Sequence, residues 1–161
     1  MTLSIRPATL ADTAAVDALL ERTYPRLLKA DYPPSVLVGA IPAMTRAQPK
    51  LMTSGTYYLA QEDDGRVLGA GGWTPNRGRP GWGDIRHVVT DDRALRRGIG
   101  RALMEHSFKA ARAAGIGDLE CWATLTAVPF YEAVGFRLIG PMTVRLQGAI
   151  EFPAMRMERS L

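Results

Sequence analysis

The sequence predicts one mixed α+β domain, a central mixed sheet of about seven strands flanked by about four helices. Three observations lead there. Runs rich in β-formers and runs with helical spacing follow one another along the whole chain, with no linker, repeat or low-complexity tract between them. Glu62-Asp63-Asp64-Gly65-Arg66 separates two β-rich runs and contains the Asp-Gly pair of a tight hairpin. Further on come a strand, one long helix and another strand, the order of a parallel, right-handed crossover.

Residues 3–6 alternate apolar and polar side chains and stop at Pro7, which predicts a first strand. Thr9 or Asp12 can cap a helix over residues 10–22, with Val16, Leu19 and Leu20 on one face and Tyr24-Pro25 as its end. Pro33-Pro34-Ser35 restarts a second helix, with Ser35 as a candidate cap and Val36, Leu37, Ala40 and Met44 near one face. Strands are expected at 56–61 and 67–73, followed by a loop over 74–83 that carries Arg77, Arg79 and Trp82. A further strand covers 84–90 and is broken by Asp91-Asp92-Arg93.

Residues 98–114 are alanine-rich and end at Gly115, the clearest helix of the chain. Residues 118–123 form a strand. Thr126 can cap a short helix through Val134, with Pro129 tolerated in its first turn and Gly135 as its stop. Two strands, at 136–139 and roughly 149–158, complete the sheet as an antiparallel pair.

At 161 residues the chain suits one domain able to bury about two-thirds of its unfolded surface. A net charge of +4 suits an acidic ligand, but 20 Lys plus Arg against 16 Asp plus Glu is too balanced to demand nucleic acid. One cysteine excludes an internal disulfide, and two distant histidines offer no zinc spacing, so no metal is expected. No stretch approaches the roughly 18 apolar residues of a spanning helix, and the N-terminus has no signal-like run. A cytoplasmic protein without a membrane partner is the expectation.

Arg96-Arg97-Gly98-Ile99-Gly100-Arg101 joins a strand to the best helix and carries the properties of an anion cradle. Its glycines open the backbone, the helix start leaves N–H donors unpaired, and three arginines add permanent charge. It is neither a dinucleotide motif, since Leu103 occupies the last glycine position, nor a P-loop, since no Gly-Lys-Ser/Thr follows.

Taken with Ala127, Phe130, Tyr131, Gly135 and Phe136 downstream, the chain resembles the GCN5-related N-acetyltransferase (GNAT) superfamily. Residues 95–100 align with its pyrophosphate motif Q/R-x-x-G-x-G/A, and residues 127–136 with A-x-x-F-Y-x-x-x-G-F. Leu95 departs from the usual Gln or Arg and Thr124 from a frequent Asn. The resemblance implies transfer of an acetyl group from acetyl-CoA to an amine of a small molecule or peptide, without a covalent enzyme intermediate. It assigns the pyrophosphate to the N–H groups of residues 97–101, with Arg96, Arg97 or Arg101 supplying charge. Val88 and Val89 would pair with the pantetheine like an added strand, near Thr124 and Phe130. A splay between the strands at 84–90 and 118–123 would admit the thioester, and Tyr131 would protonate the departing thiolate. Many relatives are dimers, which leaves a homodimer open.

The acceptor ammonium must lose a proton, and Asp84 and His87 stand on the relevant strand. Strict alternation puts residues three apart on opposite faces, so only one could enter the cleft. His106 and Cys121 read as structural. The acceptor pocket is expected from the second helix, Tyr57, Tyr58 and the loop between Trp73 and Trp82, with Arg77, Arg79 and Arg86 suiting an amine that also bears a carboxylate. A non-catalytic acyl-CoA-binding module is the competing reading. A nucleic-acid binder lacks a clustered basic face.

Overall fold

The computed structural model describes residues 2–148 and 150–161. Among them, strands form at β1 (Ser4–Pro7), β2 (Tyr57–Gln61), β3 (Val67–Pro75), β4 (Trp82–Thr90), β5 (Asp118–Ala123), β6 (Arg137–Leu146) and β7 (Ile150–Ser160). The helices are α1 (Thr13–Leu28), α2 (Pro34–Met44), α3 (Pro49–Met52), α4 (Ile99–Ala113) and α5 (Val128–Ala133). The seven strands make one sheet in the order β1-β2-β3-β4-β5-β7-β6. β4 and β5 are parallel and joined through α4, and every other neighbouring pair is antiparallel.

The period-two alternation of β2 divides the core. Tyr57 and Leu59 join Val16, Leu20, Leu28 and Met52 on the α1–α3 face, whereas Tyr58 and Ala60 join Leu103, Phe108 and Phe136 on the α4–α5 face. α4 presents Leu103, Met104, Ser107, Phe108 and Ala111 to the sheet at helical spacing. It ends as expected: Gly115 adopts φ 85, and Ile116 N–H closes on the Ala111 carbonyl at 3.0 Å.

Several boundaries differ from expectation. α1 does not stop at Tyr24-Pro25 but runs through it to Leu28. A proline inside a helix costs about 3 kcal/mol. The extra turn buries Tyr24 and Leu28, each contributing about 1.5–3 kcal/mol, so burial outweighs the break. Ser35 is inside α2, whose cap position is Pro33, and the one-turn α3 was not anticipated. Thr124 rather than Thr126 caps the 3-10 turn leading into α5, and Thr126 donates instead to Asp31 Oδ2 at 2.7 Å. β6 runs seven residues past the expected stop at 139, because its exposed outer positions alternate with half-buried ones as far as Leu146. The expected start of the last strand, Ala149, lies outside the described residues. Among the described residues no helix is long and apolar enough to cross a membrane.

Candidate active site

The centre of the site is an irregularity in β4. Against β3, Ala70 pairs with Val89 and Gly72 with Arg86, so His87 and Val88 together face Gly71. This is a β-bulge, and His87 takes up the extra residue in a left-handed conformation, φ 48, that few non-glycine residues adopt. The bulge resets the alternation. Asp84 and His87, expected on opposite faces, line the same cleft. Two buried hydroxyls close on the bulge: Tyr57 donates to the His87 carbonyl at 2.7 Å and Tyr24 to the Val88 carbonyl at 3.2 Å.

On its other edge β4 pairs with β5 only at Trp82–Asp118, Gly83–Leu119 and Asp84–Glu120. Beyond that rung the strands part, and a cleft of about 540 Å³ occupies the fork. Val88 and Val89 line it from one strand, Cys121 from the other, and Thr124, Phe130 and Tyr131 from the segment after β5.

Tyr131 is buried with its hydroxyl beside the Cys121 thiol. Burial holds the phenol well above its ordinary pKa, so it stays protonated at neutral pH. Burial likewise pushes Cys121 up to about 12, so it is a thiol and not a nucleophile. His87 Nε2 lies 3.0 Å from the Met44 carbonyl. A carbonyl can only accept, so Nε2 carries the proton and Nδ1 a lone pair. That Nδ1 is buried without a hydrogen-bond partner, and burial lowers the pKa of the ring. Asp84 accepts from Asn76 Nδ2 at 3.2 Å and lies 3.7 Å from Arg86.

At the start of α4, Arg96 (φ 67) and Gly98 (φ 76) are both left-handed and flank Arg97. Such an alternation turns successive N–H groups toward one side, at the positive end of the helix. Gly98 answers a need for conformation. Gly100 answers a need for space, since a Cβ there would stand 2.8 Å from the Phe130 ring. The arginines differ in employment: Arg97 pairs with Glu62 at 3.1 Å, and Arg101 donates to the Ala133 carbonyl at 3.1 Å. Among the described residues Arg96 is exposed and its side chain makes neither hydrogen bond nor ion pair.

The other end of the cleft departs from expectation. Met44 reaches it from α2, but Tyr57 is committed to the bulge and Tyr58 packs on His106 across the sheet at 4.4 Å. The loop after β3 folds on itself, Arg79 lying 3.5 Å over the Trp82 ring and pairing with Glu120 at 3.1 Å. Arg86 does line the cleft, beside Asp84. Val144, Leu146 and Phe152 of the β6–β7 hairpin supply the remaining wall, with Leu28 of α1. No local motif marks those hairpin residues, and Tyr24, read as a helix end, is a bulge partner.

Comparison with known proteins agrees with this architecture. A family model described as an acetyltransferase (GNAT) domain matches residues 36–159. A GCN5-related N-acetyltransferase structure from Rhodopseudomonas palustris superposes with TM-score 0.82 at 23% identity, covering 100% of this chain and 97% of the other. PaiA N-acetyltransferase from Thermoplasma acidophilum, solved with coenzyme A, gives 0.77 at 13% identity with 100% of both chains covered. The ribosomal-protein-S18-alanine N-acetyltransferase of Escherichia coli gives 0.68 at 15% identity, covering 99% and 94%. The search of curated proteins found no match. The family model spans most of the chain, residues 36–159, and the overall fold superposes on solved acetyltransferases, so this chain belongs to the GNAT acetyltransferase family.

Proposed function

We propose that the chain transfers an acetyl group from acetyl-CoA to a primary amine of a small molecule or peptide, by direct attack in a ternary complex. The observation that carries this is the fork: its bulged strand carries an unpartnered imidazole nitrogen at His87, and the segment after β5 brings a buried, neutral phenol at Tyr131 to the same cleft. An acid and a base at one opening are what aminolysis of a thioester requires. The N–H groups of Arg97, Gly98, Ile99, Gly100 and Arg101 would hold the pyrophosphate, with Arg96 adding charge. Val88 and Val89 would pair with the pantetheine. Thr124, whose hydroxyl accepts from Ala127 N–H at 3.2 Å, keeps its own proton to donate to that arm.

The acceptor attacks as its free amine, and His87 Nδ1 takes the one proton the nitrogen sheds as the C–N bond forms. Tyr131 O–H gives its proton to the sulfur as the C–S bond breaks, and once the thiol leaves, His87 loses and Tyr131 regains a proton through solvent. Asp84, shared between Asn76 and Arg86, stands where a cationic acceptor would enter. A thiol-release assay with acetyl-CoA against amino acids, polyamines and peptide N-termini tests the proposal. Release that depends on one of these amines is expected. Acetyl-CoA binding without release across the panel would favour a non-catalytic module.

Two further results are expected. Protonation of His87 fills Nδ1, so log kcat/KM should steepen from a slope of one to two as pH falls through a pKa below about 6.5, the free amine supplying the first proton. His87→Asn tolerates the left-handed backbone and should keep the slope of one while lowering kcat/KM about 100-fold. An unaltered profile would remove His87 from this role. Gly100→Ala should displace the Phe130 ring and weaken acetyl-CoA binding about tenfold by calorimetry, the equivalent of about 1.4 kcal/mol.

A further inference from the structure

Tyr24 and Tyr57 have no part in the roles above, although their hydroxyls meet successive carbonyls of the bulge. Tyr57 stands on β2, two strands from β4, and pairs in register with Gly72. On the face it shares with Gly72 no side chain intervenes, so its ring can reach across β3 to His87. Tyr24 comes from the turn of α1 that continues past the helical norm at Pro25. Both residues are buried, which leaves water little access to replace either hydroxyl.

We propose that Tyr57 is a positioning residue: by donating to the His87 carbonyl it fixes the one peptide plane whose N–H group, at Val88, polarises the thioester carbonyl in the fork. This rests on the acetyl-transfer reading above. The link is geometric. In a trans peptide the C=O and N–H point in opposite directions, so anchoring the His87 oxygen aims the Val88 N–H. The Val89 N–H is instead held by the β3 ladder, where Ala70 and Val89 form a hydrogen-bonded pair. The bulge needs such anchors. His87 and Val88 lie outside the β3 register and beyond the last β5 pair, and φ 48 at His87 is a conformation its own preference disfavours. Burial raises the Tyr57 phenol, so it remains a donor throughout neutral pH. Donors aimed at a carbonyl before it gains charge lower the barrier without reorganising.

The test combines kinetics with the infrared C=O stretch of bound acetyl-CoA labelled with carbon-13 at its carbonyl. Wild type should lower that frequency relative to free acetyl-CoA. Tyr57→Phe should bind acetyl-CoA within about twofold of wild type, return the stretch toward its free value and lower kcat about 30-fold. Tyr24→Phe frees the Val88 carbonyl but leaves the Val89 N–H on Ala70, so it should leave the stretch at its wild-type value. If Tyr57→Phe does not fold by circular dichroism, 3-fluorotyrosine at position 57 decides, since it keeps the hydroxyl as a stronger donor to the His87 carbonyl. It should shift the stretch, and an unchanged stretch overturns the proposal. Unchanged kcat in folded Tyr57→Phe, or lowered kcat with an unchanged stretch, overturns the proposal. A stretch that wild type lowers and Tyr57→Phe relaxes, without transfer to any amine, supports the clamp and removes the transfer reading. Absence of acetyl-CoA binding in wild type overturns both.

Discussion

Tyr131→Phe is expected to lower kcat about 100-fold while leaving acetyl-CoA affinity within about twofold, read by steady-state kinetics and calorimetry. The substitution removes only the O–H. The ring keeps its edge contacts to Phe130 at 5.1 Å and Phe136 at 5.5 Å, so packing survives. Burial that holds the phenol neutral also makes it a proton source in the fork, where water has little access. Because loss of the acid acts on the breaking C–S bond and not on binding, the effect belongs in kcat. Unchanged turnover would leave Tyr131 a packing residue.

The second large effect is on stability. Gly72→Ala should lower the unfolding free energy by about 3 kcal/mol or more, seen as a fall in the urea midpoint with an unchanged m-value. A Cβ at this position would lie 2.7 Å from Tyr57 Cα and closer still to the Thr56 carbonyl oxygen. Both are backbone atoms, so no side-chain rotation relieves the contact and β2 must separate from β3. Tyr57 would be carried away from the bulge, so any folded fraction should also lose activity. A midpoint shift under about 0.5 kcal/mol equivalent would show that the two strands can part without cost.

What was legible in the sequence is what is encoded locally. α4 is bracketed by Gly98 and Gly115, the hairpin by Asp64-Gly65, and β5 by its own alternation, so these elements fall where expected. The turn before α4 and the Phe130-Tyr131 segment were recognisable as motifs, and they meet where Phe130 packs on Gly100. The remainder depends on pairings between distant residues. No run of residues announces the bulge, since it exists only in the β3–β4 register, and with it fails the alternation rule that separated Asp84 from His87. α1 outruns its proline because Tyr24 and Leu28 find a core that the sequence does not display. Arg97 faces Glu62, 35 positions away, so a turn that reads as three equivalent arginines is in fact divided among different partners. The cleft wall expected in part from the loop after β3 comes largely from the β6–β7 hairpin, which reaches the cleft because β7 lies between β5 and β6.

The central claim is that the fork between β4 and β5 seats the thioester. Isotope-filtered NMR with acetyl-CoA carbon-13 labelled at the acetyl methyl tests it most directly. Contacts from that methyl to Val88 and to the Tyr131 ring are predicted. Contacts confined to the surface groove beside Arg22, Arg26 and Lys29, or to no residue of the fork, would contradict it.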